Sequence, residues 1–206
     1  MARRTPEEAE ETRLTLLQVA LQEYAAVGIH NTSLKAIAAK AGVTHGALYW
    51  HFKSRDDLIL ALCESQTLPV ESYYLDQLQA IDQDPLAALR KFLVDTIVNT
   101  ASNQQAFQVY KLFYGRRCEL PINEQLQALL DAQWQLWESY INKFLKQARK
   151  QKLVVKKTKN LPLATLLLTH ALGLLDRQSS LLTPVEFAKL VNLSISTSIK
   201  GIESID

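Results

Sequence analysis

The chain contains only two cysteines, Cys63 and Cys118, in 206 residues. With no C-x-x-C or Cys/His spacing they read as reduced, free thiols, so neither a disulfide framework nor a zinc ribbon is expected. Six glycines and six prolines, with no alternating Val/Thr/Tyr runs between turn signals, leave little material for a sheet, and the fold class is all-α. The opening MARRTPEEAEET lacks an apolar core of signal-peptide type, and no later stretch reaches ~18 uninterrupted apolar residues. No membrane association is expected, and the chain is assigned to the cytoplasm.

Acidic residues are missing from two windows, 24–55 and 139–175. The first holds Lys35, Lys40, Lys53 and Arg55 beside His30, His45 and His51, so it carries a local positive field although the net charge is only +2. The second holds Lys143, Lys146, Arg149, Lys150, Lys152, Lys156, Lys157 and Lys159, and reads as a solvated helix end and loop.

What is present is 48% hydrophobic and 21% charged, which suits a compact chain with one large core or two small ones. Thr5-Pro6-Glu7-Glu8 joins a capping residue, a proline at the first helical position and a Glu three after the cap, and Gly28 ends the helix that follows. Thr32 or Ser33 caps a short second helix that Gly42 stops. Thr44 caps a third, ended by Phe52, and Ser54-Arg55-Asp56-Asp57 starts a fourth. Pro69 predicts a kink or break in that helix between Gln66 and Val70. Further helices are expected from Asp84-Pro85, over 103–114 and 122–152, from Asn160 to Gln178, and from Thr183-Pro184-Val185-Glu186 to Gly201. The total is nine.

The second and third helices have helix-turn-helix spacing, with Leu34, Ile37, Ala38, Val43, Ala47 and Leu48 as shared core. Thr44, His45, Gly46, Tyr49 and Trp50 are left facing outward. A helix this short fits a major groove, where Thr44 and His45 would meet base edges and Tyr49 and Lys53 would meet phosphates. Gly46 would let backbone approach closely. Arg3 and Arg4 could form a minor-groove arm.

The block TSLKAIAAKAGVTHGALYWHFKSRDDL, residues 32–58, resembles the DNA-binding region of TetR-family transcriptional repressors. From ARRTPEEAEETR onward the segment looks like the AcrR-type subgroup that controls multidrug efflux pumps. The resemblance implies a nine-helix fold: a DNA-binding domain over 1–53, with its three-helix lobe, and a ligand-binding and dimerisation domain over 54–206. It also implies a homodimer through the last two helices, bound to a palindromic operator in double-stranded DNA, and no enzymatic activity. Carried over by position, Thr44, His45, Tyr49, His51 and Lys53 contact DNA, with Ser33 and Lys35 near the phosphate backbone. Thr67 and Pro69 depart from the subgroup, which tends to have polar or acidic pocket residues there in an unbroken helix.

In the larger lobe, Tyr73, Tyr74, Phe92, Phe107, Tyr110, Trp134 and Trp137 recur on successive helices at spacings that could line one cavity for flat apolar ligands. Gln66, Cys118, Glu119 and Gln133 are its polar candidates, and Glu119 could select a cation. The expected effector is thus a hydrophobic or cationic small molecule, with no cofactor and no metal. For the dimer, the apolar stripe of Leu166, Leu167, His170, Leu174, Phe187, Val191, Ser194, Ile195, Ser198 and Ile202 offers itself. Three rivals remain open. One is a regulator of the same type acting in another pathway. Another is a helical metal protein or enzyme using His45, His51, Cys63 or Cys118. The last is a sequence-independent DNA-packaging protein, which would require a far more basic surface.

Overall fold

The structure is a computed structural model that describes residues 5–66, 68–115, 123–155, 159–178 and 182–203. Ten helices occur among them: α1 Pro6–Val27, α2 Leu34–Lys40, α3 His45–His51, α4 Arg55–Ser65, α5 Val70–Leu75, α6 Pro85–Ser102, α7 Gln104–Phe113, α8 Glu124–Lys150, α9 Asn160–Arg177 and α10 Pro184–Lys200. The tenth arises from the break at Pro69: α4 and α5 are the two pieces of the helix expected from Arg55 onward. No strand occurs among the described residues, only an isolated bridge between Val154 and Glu203. Among those residues no helix is long and apolar enough to cross a membrane.

The caps stand where the sequence puts them. Thr5 accepts from the Glu8 N–H while the Glu8 carboxylate accepts from the Thr5 N–H, and Thr183 and Glu186 repeat the arrangement at α10. Ser33, Thr44, Ser54 and Asp84 each accept from the backbone N–H three residues on, satisfying donors that a helix start leaves unpaired.

The chain divides into two compact units, one made of 1–67 with 108–129, the other of 68–107 with 130–206. In the first, α1 packs on α2 and α4, and α2 on α3. Its core is Leu16, Leu17, Ile37, Leu48, Phe52, Leu58 and Leu62, with Tyr24 and Cys63 also buried. The side chain of Lys40 reaches Glu23 at 2.6 Å and ties α2 to α1. In the second unit α6 is the central element, packed against α5, α9 and α10. Its core is Leu89, Phe92, Ile97, Ile141, Phe144, Leu145, Ala164, Val191 and Ile195.

Candidate functional site

In the first unit the α2–α3 pair is built as its sequence suggests. Ile37, Ala38 and Leu48 are buried between the helices. Leu34, Val43 and Ala47 are half-buried at the margin. Gly42 turns the chain with φ 70°, a left-handed conformation that costs glycine nothing. The Val43 N–H returns to the Ala38 carbonyl at 3.0 Å and closes the turn.

One face of α3 is consequently pushed into solvent. Thr44, His45, Gly46, Tyr49 and Trp50 are all exposed, as are Ser33, Lys35 and Lys53 around them, while His51 is half-buried. Tyr49 is 45% and Trp50 73% exposed, unusual for aromatics of that size. Each aromatic leans on a histidine. The His45 and Tyr49 rings meet edge-to-face at 4.7 Å, and those of Trp50 and His51 at 4.6 Å. These contacts restrict rotamers without covering the outer faces. Arg13 lies over the Phe52 ring at 5.8 Å, and Arg55 donates to the Thr32 carbonyl at 3.1 Å. Arg55 thus braces the fold, whereas Lys35 and Lys53 extend into solvent. Arg3 and Arg4 lie outside the described residues.

The expected pocket residues that are described are distributed over both units. Gln66 caps the C-terminus of α4, and Tyr110 is buried; both belong to the first unit. Cys118, Glu119 and Thr67 lie outside the described residues. In the second unit, Tyr74 stacks on Tyr140 at 4.3 Å and meets Phe144 edge-on at 5.8 Å, while Phe92 stacks on Phe144 at 5.6 Å. Lys143 sits 5.0 Å above the Tyr74 ring, so one cation of the basic second window covers an aromatic cluster. Arg149 braces the chain through Asn160 at 2.7 Å. Lys156 and Lys157 lie outside the described residues. Tyr73, Phe107, Gln133 and Trp134 are half-buried, and Trp134 donates to Glu138 at 3.3 Å.

Phe92 and Trp137 do face a common cavity. It lies between α6, α8 and α9, measures about 20 Å³, and is completed by residues such as Thr96, Ile97, Thr100, Ile141, Leu168 and Leu172. The aromatic criterion missed these. The available signal was a pair of threonines four apart on the apolar face of α6. Thr96 Oγ1 donates to the Phe92 carbonyl at 2.8 Å. The Thr100 hydroxyl is buried without a hydrogen-bond partner. A larger opening of about 470 Å³ runs past Arg90, Lys152, Lys200, Asp84 and Glu203. It is a mixed-charge surface cleft.

On α9 and α10 the inward and outward faces differ from the expected stripe. Leu167, Leu174, Phe187, Val191, Ile195 and Ile202 are buried within their own unit, because α6 takes up that face. His170 joins the two helices: Ser194 Oγ lies 2.9 Å from its Nε2, and Ser198 Oγ 2.8 Å from its Nδ1. Among the apolar side chains left outside are Leu166 at 59%, Leu190 at 39% and Leu193 at 69% exposure, with Leu161 and Val185 exposed nearer the helix starts. Thr169, Gly173 and Thr197 lie exposed on the same helices, and a Cβ at Gly173 would meet open space.

Comparison with known proteins adds a family. Residues 16–62 match the model of bacterial regulatory proteins, tetR family. The HTH-type transcriptional regulator AcrR of Shigella flexneri is 36% identical over 119 residues, 58% of this chain and 55% of that protein. The HTH-type transcriptional regulator TtgR of Pseudomonas putida is 32% identical over 119 residues, 58% of this chain and 56% of that protein. The chain thus spans just over half the length of these curated relatives. Among solved structures, NalD, the secondary repressor of the MexAB-OprM multidrug efflux pump in Pseudomonas aeruginosa, shares the fold with a TM-score of 0.75. It is 23% identical, and the match covers 96% of this chain and 98% of that one. The helix-turn-helix lies inside the matched segment, and over that segment the chain is similar to the tetR family of bacterial regulatory proteins.

Proposed function

We propose that the protein is a ligand-responsive, cytoplasmic transcriptional repressor that binds a palindromic operator as a homodimer and controls a multidrug efflux system. The observation that carries the reading is the exposed face of α3, where Thr44, His45, Gly46, Tyr49 and Trp50 project from a helix anchored by buried Leu48. Seven residues of helix (His45–His51) enter a major groove end-on, with the N-terminal Thr44 and His45 at base edges and Tyr49, Lys53 and Lys35 at phosphates.

Two copies related by a twofold axis place two such helices in successive major grooves about 34 Å apart. The outward residues Leu166, Leu190 and Leu193 on α9 and α10 supply an apolar patch for that pairing, in place of the stripe now buried in the core. The effector enters the cavity between α6, α8 and α9. Its present volume of about 20 Å³ suits one water rather than a drug-sized molecule, which requires about 300 Å³ or more. An effector therefore binds an expanded conformation, and its preference for that conformation is the free energy that alters DNA affinity.

The efflux assignment draws on the names of the relatives, AcrR and NalD among them. Selection of bound sequences from random DNA tests the whole reading. A palindrome recovered near a transporter gene is the expected outcome. A monomer with no preference among oligonucleotides overturns the proposal.

A further inference from the structure

His170 stands within the outer face of α9 and α10. On α9 it lies one turn after Leu166 and one before Gly173, and on α10 the Ser194 it touches follows Leu193 directly. Both ring nitrogens are taken by serine hydroxyls, Nε2 at 2.9 Å from Ser194 Oγ and Nδ1 at 2.8 Å from Ser198 Oγ. A hydroxyl has one proton to give, and Ser198 gives its own to the Ser194 carbonyl at 3.1 Å. Nδ1 therefore carries the hydrogen of the neutral ring, and Nε2 accepts from the Ser194 hydroxyl. A second proton on the ring requires only that the Ser194 hydroxyl turn and accept. A single copy of the chain thus holds either charge state without losing the ring's bonds, and the half-buried ring still meets solvent.

Charge is absent around it. Residues 160–175 and 190–199 contain no Asp, Glu, Lys or Arg. The nearest charged residues along these helices are Asp176 and Arg177 on α9 and Glu186, Lys189 and Lys200 on α10. On the helices packed against them the charged groups are engaged elsewhere. On α6, Arg90 turns to Asn192 at 3.5 Å and Lys91 to Asp95 at 2.6 Å; on α8, Glu138 accepts from Thr165 at 2.5 Å and Arg149 donates to Asn160 at 2.7 Å.

We infer that self-association of this protein is controlled by pH through His170, whose protonation weakens the dimer. This rests on the reading of α9 and α10 as the dimer face and adds its regulation. A twofold interface sets the same patch against itself. What meets His170 from across it therefore comes from the same two charge-free stretches, and no carboxylate among them offsets an imidazolium. Burial disfavours the charged form of a histidine. The dimer hence binds the proton less well than the free protomer, and by linkage falling pH favours dissociation with proton uptake. Histidine is the side chain whose ordinary titration falls between pH 5 and 8.

Sedimentation equilibrium of the full chain between about pH 8 and 5.5 tests this. It reads association directly, whereas His45 and His51 would add their own pH dependence to DNA binding. The dissociation constant of the natural dimer is expected to rise at least about tenfold as the pH falls over that range. His170→Gln, which keeps a donor and an acceptor but takes up no proton, holds it nearly level. Equal pH dependence in the two proteins, or a natural dimer indifferent to pH, overturns the inference. Leu193→Glu, run alongside, separates it from the interface reading. If that variant dimerises as tightly as the natural chain, the face itself is wrong and the inference falls with it; a disrupted Leu193→Glu beside a pH-indifferent natural dimer sinks the inference alone. Should His170→Gln lose its helical circular dichroism, dilution calorimetry of the natural protein near pH 6.5, in two buffers of different ionisation heat, decides. Proton uptake on dissociation supports the switch, and its absence overturns it.

Discussion

The backbone N–H of Lys53 donates to Asp57 Oδ2 at 2.8 Å, and the Asp57 N–H donates to Ser54 Oγ at 3.0 Å. The residue that leaves α3 is therefore clamped to the first turn of α4. Its ammonium group remains in solvent, held at a defined distance from the exposed face of α3.

From this clamp follows a DNA-binding prediction. Lys53→Ala weakens binding to operator and random duplexes alike and lowers the slope of log K against log salt by about 0.9, the loss of one phosphate contact. Affinity measured by anisotropy across a salt series checks it. An unchanged slope removes Lys53 from the phosphate set.

The outer apolar face of α9 and α10 carries the dimer prediction. Leu193→Glu places a charge on the most exposed of these leucines, in a helix whose other side is already committed to the core. Sedimentation equilibrium is expected to show self-association weakened by at least about tenfold, with the helical circular dichroism spectrum retained. Dimers of undiminished stability would move the interface elsewhere.

Tyr24 supplies an alkaline prediction. Burial pushes its phenol up to about 12, outweighing the nearby Arg55, which favours ionisation. Its hydroxyl has no hydrogen-bond partner. An unfolded tyrosine loses its proton near pH 10. The folded state therefore keeps its full advantage below about pH 10 and loses it as pH rises towards 12, by about 2–3 kcal/mol in all. Tyr24→Phe flattens this limb in denaturant titrations. At neutral pH it leaves stability level or slightly higher, since an orphaned hydroxyl is removed.

At the acidic end the informative group is Glu186. The Thr183 backbone N–H, and next the Thr183 hydroxyl, hold its carboxyl below the usual carboxylate range. A depressed folded value means that the contribution is present above the unfolded titration point and disappears as pH falls through the folded one. Glu186→Gln should make α10 fray at neutral pH about as much as acid does in the natural chain. Amide exchange at the start of α10 reads this directly.

Much of this molecule is local. The caps at Thr5, Ser33, Thr44, Ser54, Asp84 and Thr183, the turn at Gly42 and the break at Pro69 depend on residues within a few positions of one another, and were legible in advance except that Thr32 and Ser33 were equal candidates for one cap and Pro69 for a kink or a break. So was the outward face of α3, because a helix of seven residues (His45–His51) has room for only one buried stripe. The aromatics were different. Helical spacing places Tyr74 and Phe92 on plausible inner faces, yet it does not say which rings stack. Tyr140 and Phe144 stack on them, and the cavity is lined by Phe92, Trp137 and mainly aliphatic neighbours, without Tyr74.

By itself the amino-acid order determined where each helix begins and ends and which short segment presents an exposed face to solvent. Those outcomes follow from capping, proline and glycine geometry, and a single amphipathic stripe. Tertiary structure alone decided which side of α9 and α10 faces inward. Both helices are apolar on more than one side, Leu166 and Leu167 being adjacent on α9 and Leu190 and Val191 on α10. Periodicity cannot rank such faces. Packing against α6 does, burying Leu167 and Val191 and leaving Leu166 and Leu190 outside.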